Sequence, residues 1–102
     1  MLIVNNIMAN ICENTFYAQC SPKNIKIIEK FFEDWTGSIE SDEDCIDVYF
    51  DSKWDFPESE MNKLFNLLDK EDDIYMRCLS VEYGNDYVAY WKCDNDGWTQ
   101  IV

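Results

Sequence analysis

The sequence predicts one α+β domain, a two-layer sandwich in which two helices cover one face of an antiparallel sheet. Stretches with strand-like alternation and with helical periodicity follow one another in the order strand, helix, one or two strands, helix and hairpin. Apolar residues make up 47% of the 102 residues and aromatic residues 16%, so burial can offset the entropy lost when the chain folds. Because there is no linker or internal repeat, residues 1–102 are expected to form a single domain.

The first elements are a strand and a helix. The stretch "NICENTFYAQC" alternates, with the even-numbered residues from Cys12 to Cys20 on one face, which is typical of a half-buried strand. Ser21 and Pro22 follow as the N-cap and the first residue of a helix that is expected to stop at Gly37. The apolar residues that recur at helical spacing in this segment are Ile25, Ile28, Phe31, Phe32 and Trp35.

The middle of the chain predicts one or two strands and a second helix. "SIE" is interpreted as a short edge strand, and "CIDVYFD" as a strand with Ile46, Val48 and Phe50 on its buried face. Pro57 is expected to open the second helix, which ends near "KEDD". The residues of this helix that are expected to face the core are Met61, Leu64, Phe65 and Leu68.

The last third predicts a hairpin. "DIYMRCLSVEY" and "DYVAYWKC" flank Gly84 and Asn85, a pair that favours a two-residue turn. Large side chains stand on both faces of these strands, so one face is expected to pack on the helices and the other to meet solvent or a partner. A turn at "DNDG" then leads to "WTQIV", interpreted as a short final strand.

Three stretches with a family likeness are "MANICENTF" (Met8–Phe16), "FDSKWDFP" (Phe50–Pro57) and "SVEYGNDYVAYW" (Ser80–Trp91). They resemble the opening, the strand-to-helix junction and the closing hairpin of the YubB-like family of phage and plasmid proteins. The resemblance implies a ferredoxin-like fold and a mobile-element source, and it implies no activity or catalytic residue. The segment between the first helix and Trp54 is shorter than in the family pattern, which argues against the second strand. The family-like start falls at Met8, so residues 1–7 are interpreted as an N-terminal extension or the product of an upstream start codon.

The net charge of −13, from 21 acidic against 8 basic residues, argues against direct binding to nucleic acid or to an anionic membrane. The same charge would attract basic proteins.

The five cysteines form no CxxC pair and the chain has no histidine, so we expect buried thiols in a reducing bacterial cytoplasm and no cofactor. The stretch "MLIVNNIM" lacks the basic start and the length of a signal peptide.

Specific metal binding and catalysis both receive little support. A calcium loop that starts at Asp42 would need glycine in its sixth place and glutamate in its twelfth, but those places hold Asp47 and Lys53. Asp47 and Asp51 could form a hydrolytic carboxylate pair beside Trp54, although any chain this acidic contains such pairs by chance. Without histidine, a serine or cysteine nucleophile lacks its usual base. We therefore expect no metal site and no enzymatic activity.

The acidic residues between 40 and 60 form the candidate site. As a recognition surface they would imitate the phosphates of nucleic acid, with Tyr49 and Trp54 as desolvated anchors and with help from a second acidic run. In the alternative interpretation, these acids lie in solvated loops and have no partner. Those at the start of a helix would then serve to interact favourably with its dipole. The complete set of candidate partner-binding residues is Glu40, Asp42, Glu43, Asp44, Asp47, Tyr49, Asp51, Trp54, Asp55, Glu58, Glu60, Asp69, Glu71, Asp72 and Asp73.

These observations favour a small non-catalytic protein that binds a basic protein surface. Together with the resemblance, they lead to the hypothesis of a nucleic-acid mimic that inhibits a host defence nuclease, as an anti-CRISPR or anti-restriction protein. The alternative function is a self-associating structural or packaging accessory protein of a phage. The observation that favours it is the hairpin with large side chains on both faces. That alternative predicts a homo-oligomer.

Overall fold

The computed structural model describes residues 11–35 and 37–102, which form an α+β fold with one antiparallel sheet and two helices, as the sequence predicts. The expected extension at residues 1–7 lies outside the described residues. The elements are β1 (Ile11–Gln19), α1 (Pro22–Phe32), β2 (Gly37–Ser41), β3 (Cys45–Lys53), α2 (Glu58–Leu67), β4 (Tyr75–Glu82), β5 (Tyr87–Asp94) and β6 (Gly97–Gln100). No helix in the described parts of the chain is long and apolar enough to cross a membrane.

The sheet has the strand order β2-β3-β1-β4-β5-β6, so β1 lies in its interior. Alternate residues of each strand point to the same side of a sheet. On β1 the even-numbered residues are buried, as predicted, and both helices contribute to the same core. The buried core residues are Phe16, Ala18, Cys20, Ile25, Ile28, Phe32, Ile46, Val48, Phe50, Phe56, Met61, Leu64, Leu68, Ile74, Met76, Cys78 and Cys93. The side of the sheet that the helices leave uncovered is called the open face below.

Helix α1 begins where the sequence predicts and ends earlier. The Ser21 hydroxyl accepts a hydrogen bond from the Asn24 N–H at 3.3 Å, and Pro22 is the first helical residue. The helix ends at Phe32, before the predicted stop at Gly37. Trp35 lies beyond the helix, and its ring still packs on Phe50, with centroids 4.9 Å apart. The burial of Trp35 therefore results from tertiary packing on the sheet and not from a position on the apolar stripe of the helix.

Gly37 is the first residue of β2 and not a helix stop. Its φ of +132° is a conformation that side-chain-bearing residues rarely adopt, and a Cβ atom there would overlap the Tyr49 carbonyl oxygen. Glycine is required because β2 begins in close contact with the backbone of β3. The short edge strand that "SIE" predicts is confirmed, and all of its residues are exposed.

Helix α2 is shorter than predicted at both ends. It begins at Glu58, directly after Pro57, and ends at Leu67, before the "KEDD" run. Met61 and Leu64 are buried as expected, and Leu68 is buried although it lies past the last helical residue. An extended backbone at Leu68 turns that side chain back into the core.

The hairpin of β4 and β5 is confirmed, but its predicted two-residue turn is wrong. Glu82 and Tyr87 form the last pair of the ladder, so the connection spans residues 83–86. It consists of a short 3₁₀ turn over residues 83–85 and of Asp86 with a φ of +54°. The Glu82 carboxylate accepts a hydrogen bond from the Gly84 N–H at 2.7 Å, which stabilises this longer loop. The final strand predicted in "WTQIV" is present as β6.

Candidate functional site

The fold distributes the acidic stretch of residues 40–60 over three separate surfaces. The antiparallel pairing places the β2–β3 loop at one end of the sheet and the β3–α2 connection at the other end. A nine-residue strand is about 27–30 Å long, so these two groups of acids cannot share one small contact area. The remaining acids stand on β2 and β3 between the two ends.

One end of the sheet collects both acidic runs of the sequence. The β2–β3 loop, the α2–β4 connection and the β5–β6 turn all lie there, because Ser41, Cys45, Tyr75 and Asp94 are the strand residues at that end. We call the acidic residues of these connections, together with Asp94 at the end of β5, the acidic pole. It consists of nine residues: Asp42, Glu43, Asp44, Asp69, Glu71, Asp72, Asp73, Asp94 and Asp96.

Two asparagines hold the loops of the acidic pole in place. Buried Asn24 of α1 donates through Nδ2 to the Asp69 carbonyl oxygen at 3.0 Å and accepts the Asp69 N–H through Oδ1 at 2.9 Å. Asn95 donates to the carbonyl oxygens of Lys70 and Asp72 and accepts the Ile74 N–H. The backbone of the α2–β4 connection is thereby tied to α1 and to the β5–β6 turn.

Positive charge at the acidic pole is sparse. The Lys23 ammonium lies 3.1 Å from the Asp69 carboxylate. A hydrogen bond from the Glu71 N–H, together with Lys23, lowers the pKa of Asp69 below its usual value. Lys70 Nζ lies 4.5 Å from the centroid of the Phe65 ring. Among the described residues, Asp69 is the one member of the pole that forms an ion pair.

A cleft of about 490 Å³ opens at the acidic pole between the two acidic runs. Asp44 lines it from one run and Asp72 and Asp73 from the other, with Cys20 and Ile74 among its apolar lining. Burial, with a smaller contribution from Asp72, raises the pKa of the Cys20 thiol to about 11. In the described parts of the chain, no three metal-binding side chains form a group that could hold a metal ion. The cleft therefore presents negative charge beside an apolar wall.

The open face carries the second group of candidate residues. Glu40 on β2 is directly opposite Asp47 on β3, and Glu13 on β1 is directly opposite Asp51. Like charges in opposed positions destabilise a sheet, since no strand separates them. Tyr49 lies between Asp47 and Asp51 on the same strand, and 49% of its surface is exposed.

The third group lies at the end of the sheet opposite the acidic pole. Trp54 is 57% exposed, and its φ of +73° is unusual for a large side chain. The Asp55 N–H donates to the Lys53 carbonyl oxygen at 2.9 Å across it, which defines a γ-turn. Glu58 and Glu60 stand in the first turn of α2, where they favour the helix dipole, and Glu60 pairs with Lys63 at 3.4 Å.

The cysteine side chains are poorly placed for nucleophilic chemistry. Burial raises the pKa of the Cys78 and Cys93 thiols to about 12 and also raises that of Cys12. Cys45 is half-buried, and desolvation together with the charges of Asp42 and Asp44 raises the pKa of its thiol. These five thiols are therefore protonated at neutral pH, whereas nucleophilic attack requires the thiolate.

Sequence reasoning missed three acids and two asparagines of these surfaces. Asp94 and Asp96 join the acidic pole through the β5–β6 turn, which "DNDG" signalled only as a turn. Glu13 joins the open-face acids through its pairing with β3, and no local pattern reveals that partner. Asn24 and Asn95 act over separations of 45 and 21 residues in the chain, beyond the reach of sequence periodicity.

Comparison of the chain with protein-family models, with curated proteins and with solved structures finds no match.

Proposed function

We propose that this protein is a non-catalytic binding protein whose acidic pole docks on a basic surface of another protein. The observation that carries the proposal is the convergence of three acidic loops at one end of the sheet, where Asp44, Asp72 and Asp73 line a common cleft. Unpaired carboxylates held close together repel one another and lower the stability of the folded chain. A cationic partner removes that repulsion, so the energy stored in the unliganded protein favours binding.

The rigidity of the acidic pole supports recognition over simple solubility. Solubility requires net charge and does not require that the charges be fixed in space. Here Asn24 and Asn95 fix the backbone of the α2–β4 connection through hydrogen bonds, so the segment that carries these carboxylates is pre-organised for a partner. Pre-organisation lowers the entropy lost on binding.

The partner class we propose is the nucleic-acid groove of a bacterial defence nuclease, which makes this protein an anti-CRISPR or anti-restriction inhibitor by mimicry. Such grooves are lined with lysine and arginine because they neutralise phosphates. The YubB-like resemblance and a ferredoxin-like core belong to the same proposal. The order β1-α1-β2-β3-α2-β4, with β5 and β6 added next to β4, supports the ferredoxin-like part.

The test is capture of bacterial proteins by the purified chain, with elution by rising salt and identification by mass spectrometry. A pole variant combines D42N, E43Q, D44N, D72N and D73N. We expect the wild type to retain a nucleic-acid enzyme that only high salt releases, and the pole variant to lose it. Duplex DNA or RNA added to the captured enzyme should displace the wild-type protein, because both occupy one groove.

The matched control removes the same number of charges away from the acidic pole. It combines D34N, D55N, E58Q, E60Q and D86N, which lie on the connections at the opposite end of the sheet or in the first turn of α2. If the control and the pole variant lose partner capture equally, the interaction depends on net charge alone and not on the acidic pole. A partner that the pole variant still binds, or that nucleic acid does not displace, would contradict the proposal.

A further inference from the structure

One row of paired residues crosses all six strands on the open face and carries opposite charges at its two sides. From β2 to β6 the row consists of Glu40, Asp47, Tyr17, Arg77, Lys92 and Thr99. The acids therefore lie on β2 and β3, and the cations on β4 and β5. This face is polarised across the sheet, although the chain as a whole carries a net charge of −13.

Like charges are neighbours within each half of this row. Arg77 is directly opposite Lys92, just as Glu40 is opposite Asp47, and both arrangements oppose sheet formation. The Arg77 guanidinium lies 4.4 Å from the Tyr17 ring and donates to the Tyr75 hydroxyl at 3.2 Å. Within residues 11–35 and 37–102, these four charged groups form no salt bridge. Each half would gain from opposite charges supplied by another molecule.

We propose that this molecule is a second copy of the chain, bound face to face about a two-fold axis parallel to the strands. With the axis between β1 and β4, the middle of the six-strand order, the rotation exchanges β3 with β5 and preserves position along the strands. Asp47 of each copy then faces Lys92 of the other, and Tyr17 faces Arg77. A two-fold contact uses the same patch on both copies, so the patch must be complementary to itself. A row with acids at one side and cations at the other meets this requirement.

The next row of the open face supplies the apolar centre of this interface. It contains Tyr49, Thr15, Leu79 and Tyr90 in register, and Ile101 follows through a hydrogen bond from its N–H to the Tyr90 carbonyl oxygen at 2.7 Å. Leu79 is 41% exposed and Ile101 is 53% exposed. The same rotation places Tyr49 against Tyr90 and Thr15 against Leu79. Exposed apolar groups would thus be buried by the contact that pairs the charges.

The open face is large enough for a dimer contact. Six strands at about 4.8 Å spacing are about 24 Å wide. The four inner strands are about 27 Å long and the edge strands β2 and β6 have five and four residues, which gives a flat area of about 600 Å². A standard interface uses about 800 Å² of accessible surface per partner. Glu13 and Asp51 lie in the following row, where the rotation places them against Val81 and Val88 of the other copy, so the contact requires that their carboxylates stay in reach of water. The rotation places the acidic poles of both copies at the same end of the dimer, where their repulsion opposes the contact and is reduced by salt.

The test is sedimentation velocity of the purified chain over a concentration series at about 0.15 M salt, where charges more than about 8 Å apart are screened. We expect a reversible dimer. D47K and K92E should each weaken dimerisation at least tenfold, because each places like charges across the interface. The double variant D47K/K92E should return to within about threefold of the wild type, since a reversed pair forms again.

Recovery of dimerisation in D47K/K92E can arise only from a contact between residues of the two copies. Within one chain, β1 and β4 separate Asp47 from Lys92 by about 14 Å, three strand spacings. K26E on the exposed side of α1 changes the net charge as K92E does and should leave the dimer unaffected. A monomer at every concentration, a dimer that both single reversals leave intact, or a double variant without rescue would overturn the proposal.

A free anion is the competing occupant of the cationic half. Titration of a monomeric wild type with inorganic phosphate, followed by NMR, would shift the Arg77 and Lys92 signals if these residues form a small-anion site, and the second-copy proposal would then fail. The dimer and the proposed function can fail separately, because the pole variant keeps the open face and K92E keeps the acidic pole.

Discussion

Asn14 is a polar residue at a position where the alternation of β1 predicts burial, and it is 2% exposed. Its Nδ2 group donates to the Ser52 hydroxyl at 2.9 Å and to the Phe50 carbonyl oxygen at 3.2 Å, and its Oδ1 accepts from the Ser80 hydroxyl at 2.6 Å. One side chain therefore joins β1 to both neighbouring strands. Buried amides are tolerated in this way only when their hydrogen bonds are made.

We predict that Asn14→Ala lowers the free energy of unfolding by about 2–4 kcal/mol, because it removes these bonds and leaves their buried partners unsatisfied. Urea unfolding followed by tryptophan fluorescence measures the change. Thr15→Val on the open face retains the β-branch and should change stability by less than about 0.5 kcal/mol. A loss below about 1 kcal/mol in Asn14→Ala would show that water or side-chain rearrangement replaces the bonds.

At the scale of the elements, strand and helix positions follow from periodicity, while their ends depend on contacts. The Ser21 cap and the alternation of β1 are local signals, and the structure confirms both. Gly37 was expected to end a helix and begins a strand, since glycine fits any position that requires positive φ. Gly84 and Asn85 do lie in the hairpin connection, but the ladder ends too early for a two-residue turn and the positive φ falls at Asp86.

Gly37→Ala is expected to detach β2 from β3 and to cost at least about 2 kcal/mol, because the new Cβ meets the Tyr49 carbonyl and the backbone is strained. Hydrogen exchange of the β2 amides should accelerate more than that of β1. The matched position Gly97 also has positive φ, +112°, but a Cβ atom there would meet Phe65 Cε2 only at 3.8 Å, an ordinary contact distance. Gly97→Ala should incur only backbone strain, about 1–2 kcal/mol. Equal losses in the two variants would contradict the role of the β2–β3 contact.

At the scale of the whole molecule, the distribution of charge is the dominant feature. The fold concentrates acids at one end of the sheet and along two strands of the open face, and it places two cations on the other side of that face. Repulsion among the acids is longer in range than any single contact and is reduced by salt. The stability of the isolated protein should therefore depend on ionic strength.

Raising sodium chloride from about 0.01 M to about 0.5 M should raise the melting temperature, because screening weakens repulsion between carboxylates. For a domain of about 100 residues, each 1 kcal/mol gained corresponds to about 4–8 °C. Scanning calorimetry at low protein concentration measures the shift. The pole variant should melt higher than the wild type at low salt and respond less to added salt. A melting temperature that falls with salt in both proteins would indicate that attractive ion pairs dominate.

The sequence by itself determined the class of fold and the buried faces of β1, β3 and the two helices, because period-two and period-3.6 patterns are local properties of the chain; it left the number of middle strands and the buried face of the hairpin open. It also determined that the surface is acidic. The YubB-like resemblance, the mobile-element source and the absence of catalysis stay predictions.

Only the tertiary structure decided which acids are neighbours. Strand pairing placed Asp47 opposite Glu40 and Asp51 opposite Glu13, and it joined Asp44 with Asp72 and Asp73 in one cleft. Pairing across β1 likewise produced the polarised row of the open face. These arrangements depend on registers between segments far apart in the chain, and no local pattern encodes a partner's position. The physical reason is that burial fixes the face of each strand, whereas the packed core and the hydrogen-bonded ladder fix which strands meet.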